Sequence, residues 1–238
     1  MISKRIFIFI PGLLIAVILI HCIEQSEKIS SLYNGVSFLP TPTVFLVNFY
    51  MFAIYSLFIF SEFEKYIHSY GHFIVIRTKR RSVLYRILFG RLIKSLLLIE
   101  SMKILFYFAI CYLKYDNVVV DGALTMKATL YIITITILLF IQMNIEIFYS
   151  SKIAIIAILS LYLGGVTLGS YISMFVEGTS AKNILNVFIL QNYMMYNRYK
   201  ILIQELNLNI IILIGILIMI FTIFCLIVNR RFKKIDII

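Results

Sequence analysis

Six runs of apolar residues, each about as long as the 18 or so residues that cross a bilayer's hydrocarbon core of about 30 Å, constrain this chain more than any motif in it. They fall at about residues 6–23, 43–60, 95–113, 128–145, 153–175 and 210–228. A soluble fold of the same length would need charged, solvated faces between its core segments. This chain is 62% apolar and only 14% charged over 238 residues, so the loops alone could supply them. The expected fold is therefore all-α: one membrane domain over residues 1–238 with six transmembrane helices. Lys4 and Arg5 before an apolar run would also open a signal peptide. No small-x-small site follows, and the bulky His21 before Cys22 does not suit lipoprotein cleavage, so the first run reads as an uncleaved helix.

Six spans put both termini on one side, and the basic residues choose the side. Fifteen fall together: Lys4 and Arg5, Lys65, Arg77, Lys79, Arg80, Arg81, Arg86, Arg91 and Lys94 between spans two and three, Lys152, and four after span six. Six fall opposite, namely Lys28, Lys114, Lys127, Lys182, Arg198 and Lys200, with Lys103 inside a span. Both termini are thus expected in the cytoplasm, in a multi-pass protein of the cytoplasmic membrane. Retention inside and attraction to anionic lipid account for the net charge of +11, with no need of nucleic acid as a partner.

The polar, basic interruption from Glu62 to Lys94 sits between two oily runs. Phe63, Tyr66, Ile67, Tyr70 and Ile74 recur at helical spacing, while Glu62, Glu64, Lys65, His68 and Ser69 face the other way. That pattern predicts a short amphipathic helix on the membrane surface, placed to be held by a soluble partner. His68 and His72 share a helix face without a third ligand close by, short of the three or four that zinc takes, so no metal is expected.

Elsewhere, chemistry is scarce. GxxxxGK[ST], HExxH, GxSxG and a paired-glutamate protease motif are all missing, Gly169-Ser170 lacking the flanking residues, so no catalytic residue and no cofactor are expected. Cys22, Cys111 and Cys225 are widely spaced in or beside apolar runs and suggest neither disulfide nor zinc. Glu100 and Lys103, three apart on one helix face, form a candidate intramembrane pair, either part of a substrate path or a pair neutralised close to the inner boundary and reaching toward headgroup water. Asn48, Gln142 and Asn144 either line a path or bond between helices, and Gly164, Gly165 and Gly169 suit close helix packing. About residues 24–42 read as a polar outside loop ending in Pro40-Thr41-Pro42. About residues 176–209 are too apolar for a free loop and too short in their apolar part to cross; a re-entrant or an interfacial outer helix is expected, with Tyr193, Tyr196 and Tyr199 at the headgroups.

This layout resembles the permease subunit of an ABC-2-type transporter. The resemblance spans the chain as an arrangement of helices, while its local part is confined to Glu62 and Glu64, Gly71 with Phe73 to Ile76, Arg77 to Arg81, and Gly90-Arg91. His72 and Thr78 stand where that pattern usually has threonine and proline, and no amphipathic helix fits before Ile6, which is nearer the small permeases of bacterial peptide or bacteriocin export and self-immunity. The resemblance implies a coupling helix carrying Glu62, Glu64, Tyr66, Ile67, Tyr70, Gly71, Arg77, Arg80 and Arg81, gripped by a separate ATPase that holds the ATP and Mg²⁺. It also implies a second permease copy or a related one, and an amphipathic cargo. Two other classes fit the same layout: a six-span substrate-binding subunit of a vitamin importer, and a non-transporting membrane immunity protein.

Overall fold

The computed structural model describes residues 2–66, 81–116, 118–176, 178–206 and 210–232. Each of the six apolar runs falls within one helix. These are α1 (Ile2–Glu24), α2 (Pro42–Ile59), α4 (Arg81–Tyr115), α5 (Ala123–Phe148), α6 (Ser151–Phe175) and α9 (Ile210–Phe232), with shorter helices α3 (Glu62–Tyr66), α7 (Thr179–Val187) and α8 (Tyr196–Leu206) between them. Two 3₁₀ turns, Ile29–Tyr33 and Leu190–Met194, complete the described elements, none of which is a strand.

Among the described residues, four helices are long and apolar enough to cross a membrane: α2 continued through α3, the Tyr85–Tyr115 part of α4, α5, and α6. Helices α1 and α9 run for 23 residues each; their apolar parts include Phe9–Glu24 in α1 and Ile211–Leu226 in α9, the latter meeting α8 at a bend of 115°. Their outward faces remain oily. Ile153, Ile156, Leu168, Tyr171 and Phe175 stand exposed along α6, as do Ile211, Ile218, Ile223 and Leu226 along α9. Such surfaces favour hydrocarbon over water.

Local chemistry sets the breaks. Pro42 opens α2 at its first turn, where a missing N–H costs nothing. Ser61, with φ 57°, turns the chain out of α2 into α3. Ser150 caps α6 by accepting from the Ile153 N–H at 3.3 Å. Helix α4 runs unbroken for 35 residues, so Arg86, Arg91 and Lys94 extend the same rod that Ser95 was expected to begin.

The core lies between α1, α2, α4, α5 and α6, around Tyr55, Tyr107, Leu138, Phe140 and Val166. Three features depart from expectation at the end of the bundle opposite α3. First, the presumed polar loop after α1 folds inward: all of Ile29–Tyr33 is buried. Gly35, with φ 65°, lets it turn under Met195, whose Cγ would lie 2.8 Å from an added Cβ. Second, Tyr193 and Tyr199, expected at the headgroups, are buried. The Tyr193 hydroxyl donates to the Val187 carbonyl at 2.5 Å. Third, Arg198 and Lys127, counted as external charges, are also buried.

Candidate functional site

At the α3 end, the first residues of the basic stretch are tied down. Glu146, near the last turn of α5, accepts the backbone N–H groups of Phe63 at 3.1 Å and Glu64 at 3.0 Å through one carboxylate oxygen. These are first-turn donors of α3, which have no partner within the helix. Glu146 thus performs the work of a helix cap from 83 residues away. Glu64 reciprocates: its carboxylate accepts the Ser151 N–H at 3.1 Å and the Ser151 hydroxyl. Glu146 of α5 therefore caps α3, and Glu64 of α3 caps α6. From α4, the Arg91 guanidinium lies over the Tyr66 ring, 3.9 Å from its centroid.

The amphipathic reading needs one correction. Phe63 is buried as expected, but Glu62 is buried too and Glu64 half-buried, because this face of α3 packs on the α5–α6 turn rather than facing water. Of the expected coupling residues, Glu62, Glu64 and Tyr66 stand in α3 and Arg81 begins α4. Ile67, Tyr70, Gly71, Arg77 and Arg80, with His68 and His72, lie outside the described residues.

The second cluster is at the centre of the bundle. Lys103 Nζ lies 2.6 Å from Glu100 Oε1, with the two side chains 1% and 3% exposed. Neither reaches toward headgroup water. Glu100 is nineteen residues into α4 and is enclosed by the inward-folded loop. The Tyr33 hydroxyl donates to Glu100 Oε1 at 2.7 Å and the Tyr55 hydroxyl to Oε2. The ammonium faces the rings of Tyr131 at 3.9 Å and Tyr33 at 4.4 Å, with Tyr55 at 5.7 Å. A buried charge persists only where it is paired and hydrogen-bonded, and both ions here meet that condition.

Other polar residues inside the bundle bond across helices. Gln142 of α5 and Ser56 of α2 exchange bonds of 2.8 and 3.0 Å, and Tyr85 of α4 donates to Asn144 of α5 at 3.1 Å. Asn48 bonds its own helix at the Val44 carbonyl, 2.9 Å away.

A third cluster holds the segment between α6 and α9. Arg198, fully buried, donates from Nε to the Val36 carbonyl at 3.1 Å, from Nη1 to the Val166 carbonyl at 3.0 Å and Asn192 Oδ1 at 2.9 Å, and from Nη2 to the Ser37 carbonyl at 3.2 Å and Ser170 Oγ at 2.8 Å. Gly165 and Gly169 make room: an added Cβ would lie 2.1 Å from Gln191 Oε1 at the first and 2.7 Å from Arg198 Nη1 at the second. The glycines of α6 thus admit polar side chains of the following segment, whereas helix-to-helix packing was the expectation. No group of three or more metal-ligating side chains stands together among the described residues.

Residues 7–238 match the model of a protein family described as being of unknown function, DUF2705. The chain belongs to that family. No curated protein and no solved structure matches it. For this DUF2705 chain the functional reading rests on the three clusters. Reasoning from sequence missed Glu146, Ser151, Tyr33, Tyr55, Tyr131 and Arg198 as their builders. The sole signal for Glu146 was an acid at the very end of an apolar run beside Ser150-Ser151.

Proposed function

We propose that this chain is the membrane-embedded subunit of an ABC-2-type exporter. It crosses the cytoplasmic membrane six times with both termini inside, moves an amphipathic cargo such as a peptide, a bacteriocin or a lipid-like compound, and carries no catalytic chemistry of its own. The observation that carries this reading is the anchorage of α3. A soluble ATPase holding the basic stretch after Tyr66 would load α3, and the load would pass through Glu146 and Ser151 into α5 and α6. The Arg91–Tyr66 stack delivers the same load to α4. Such a stretch works as a mechanical link, ATP and Mg²⁺ being held by the partner subunit.

A re-entrant outer segment fits this reading better than an interfacial one. Gln191 donates to the Leu161 carbonyl at 2.8 Å, and Leu161 stands fourteen residues before Phe175, the end of α6. At the helical rise that is about 21 Å of depth. A second copy, or a related permease, would complete the path.

The test is co-purification of the full chain with the ATPase subunits of the same cell. Association is expected with the wild type and is expected to fall when Arg77, Lys79, Arg80 and Arg81 become alanine. Unchanged association would turn the reading toward a non-transporting immunity protein or, if the isolated chain bound a vitamin tightly, an importer subunit.

A further inference from the structure

Glu100 sits in a box that has the composition of a receptor for an organic cation. One carboxylate, two phenol hydroxyls bonded to it, and aromatic faces around the remaining space together select an ammonium group by charge, hydrogen bonding and ring quadrupole. Lys103 fills the box in this structure, yet it is held by side-chain contacts on a long flexible stem and shares helix α4 with its counter-ion. It also forms part of the wall of a void of about 10 Å³, close to the space one water needs. The same void is lined by Met51, Met194 and Met195, whose unbranched side chains repack easily. A second void of similar size shares Ile20, Leu32 and Asn48 with the first and extends to Glu24, at the end of α1. Glu24, which accepts from Asn34, lines the second void, and Lys103, whose ammonium pairs with Glu100, lines the first.

We propose that the Glu100 box, walled by Tyr33, Tyr55 and Tyr131, is a binding site for the ammonium group of an organic cation: a lysine side chain or free amino terminus of a peptide, or a simple alkylamine. The ligand enters from the Glu24 end. Lys103 is the built-in occupant that keeps the site closed and moves toward Asn48 as the ligand arrives. The site lies at the centre of the bundle, about 14 Å along α4 from the Arg91–Tyr66 contact, and its contacts do not involve α3, so the inference stands whether or not an ATPase binds there.

The test uses the full chain in lipid nanodiscs with ¹³C-methyl methionine, titrated with n-butylammonium chloride against n-butanol and sodium chloride as controls. Expected are saturable shifts of the Met51, Met194 and Met195 methyl signals with butylammonium alone, the exposed Met174 and Met219 staying still. Lys103→Ala, which vacates the box, is expected to reach half-saturation at a roughly tenfold lower concentration. Glu100→Gln/Lys103→Met removes both charges together, leaves no buried ion alone, and is expected to abolish the shifts. If Lys103→Ala does not fold, the wild type and the double variant still decide the matter. Absence of saturable shifts in the wild type, equal shifts with butanol, or shifts that persist in the double variant would each overturn the proposal.

Discussion

Replacing Arg198 by methionine tests a side chain that bonds five different partners. The substitution keeps a long apolar stem and removes every donor. The carbonyls of Val36 and Ser37, which lie in non-helical chain, lose their partner, as does Asn192 Oδ1. Each buried acceptor left without a donor costs about 1–3 kcal/mol. Sparing the cost of burying a cation returns part of that. The expected net loss is about 3–5 kcal/mol, or on the order of 10 °C in Tm for a chain of this size. Arg198→Lys is expected to lose roughly half as much, because three donors on one nitrogen cannot serve acceptors spread across a planar fork. Thermal unfolding in nanodiscs supplies the magnitude, and limited proteolysis shows whether the α7–α8 segment detaches first. Lys200→Met, an exposed neighbour, serves as control and is expected to stay within about 0.5 kcal/mol. A variant at 198 within about 1 kcal/mol of wild type, with unchanged proteolysis, would refute the reasoning.

Three further outcomes are expected. Gly165→Ala and Gly169→Ala should destabilise by about 1–3 kcal/mol through overpacking against Gln191 and Arg198, against alanine's intrinsic helix preference of about 1 kcal/mol. Gly164→Ala, with nothing within 4 Å, should be neutral or stabilising, and thermal melts of the three separate the cases. Glu146→Ala should cost about 1–2 kcal/mol by uncapping α3 while leaving ATPase association intact, so transport falls with no loss of co-purification; equal loss of both would count against the load path. A double-mutant cycle on Ser56→Ala and Gln142→Leu should give a coupling of about 0.6 kcal/mol, the usual worth of an interhelical bond in a membrane, and a coupling near zero would remove that contact from the account.

The long helices were legible because crossing hydrocarbon imposes a length, and length survives in a single sequence. Hydropathy marks only the part of a helix that sits in oil, which is why the N-terminal turns of α4, rich in arginine, extend the rod well beyond the expected start at Ser95. The inward-folded loop after α1 was illegible for a different reason. Its serines, asparagine and tyrosine look like solvent-facing residues until their partners are known. Those partners are remote: Ser30 donates to Asp121 at 2.7 Å across 91 positions, and Tyr33 to Glu100 across 67. Charge counting did not foresee the burial of Arg198 and Lys127 for the same reason, since it weighs a cation without asking whether carbonyls and side-chain oxygens surround it. Lys127 donates to Asn34 Oδ1 at 2.9 Å and lies over the Tyr196 ring.

Helix α4 is the element through which the two proposals bear on each other. It carries Arg91 against Tyr66 at one end of the bundle and Glu100 inside the tyrosine box. Nine residues separate them, about 14 Å along the axis. The helix contains no proline, and its one glycine, Gly90, lies before both. A continuous helix of that length has no cause to bend between the two sites, so a displacement of Arg91 reaches Glu100 largely undiminished. The box is in turn bonded to the first 3₁₀ turn and to α2, and its tyrosine faces include α5. Movement of α4 toward or away from α3 must therefore stretch the Tyr33 and Tyr55 bonds to Glu100 or carry those elements with it. A cation that displaced Lys103 would bias the same rod from the other direction. Binding at the centre of the bundle and grip at its α3 end would then be coupled, with equal and reciprocal effects on the two affinities. Butylammonium is accordingly expected to change the affinity of the ATPase for the wild-type chain and to leave it unchanged for Glu100→Gln/Lys103→Met.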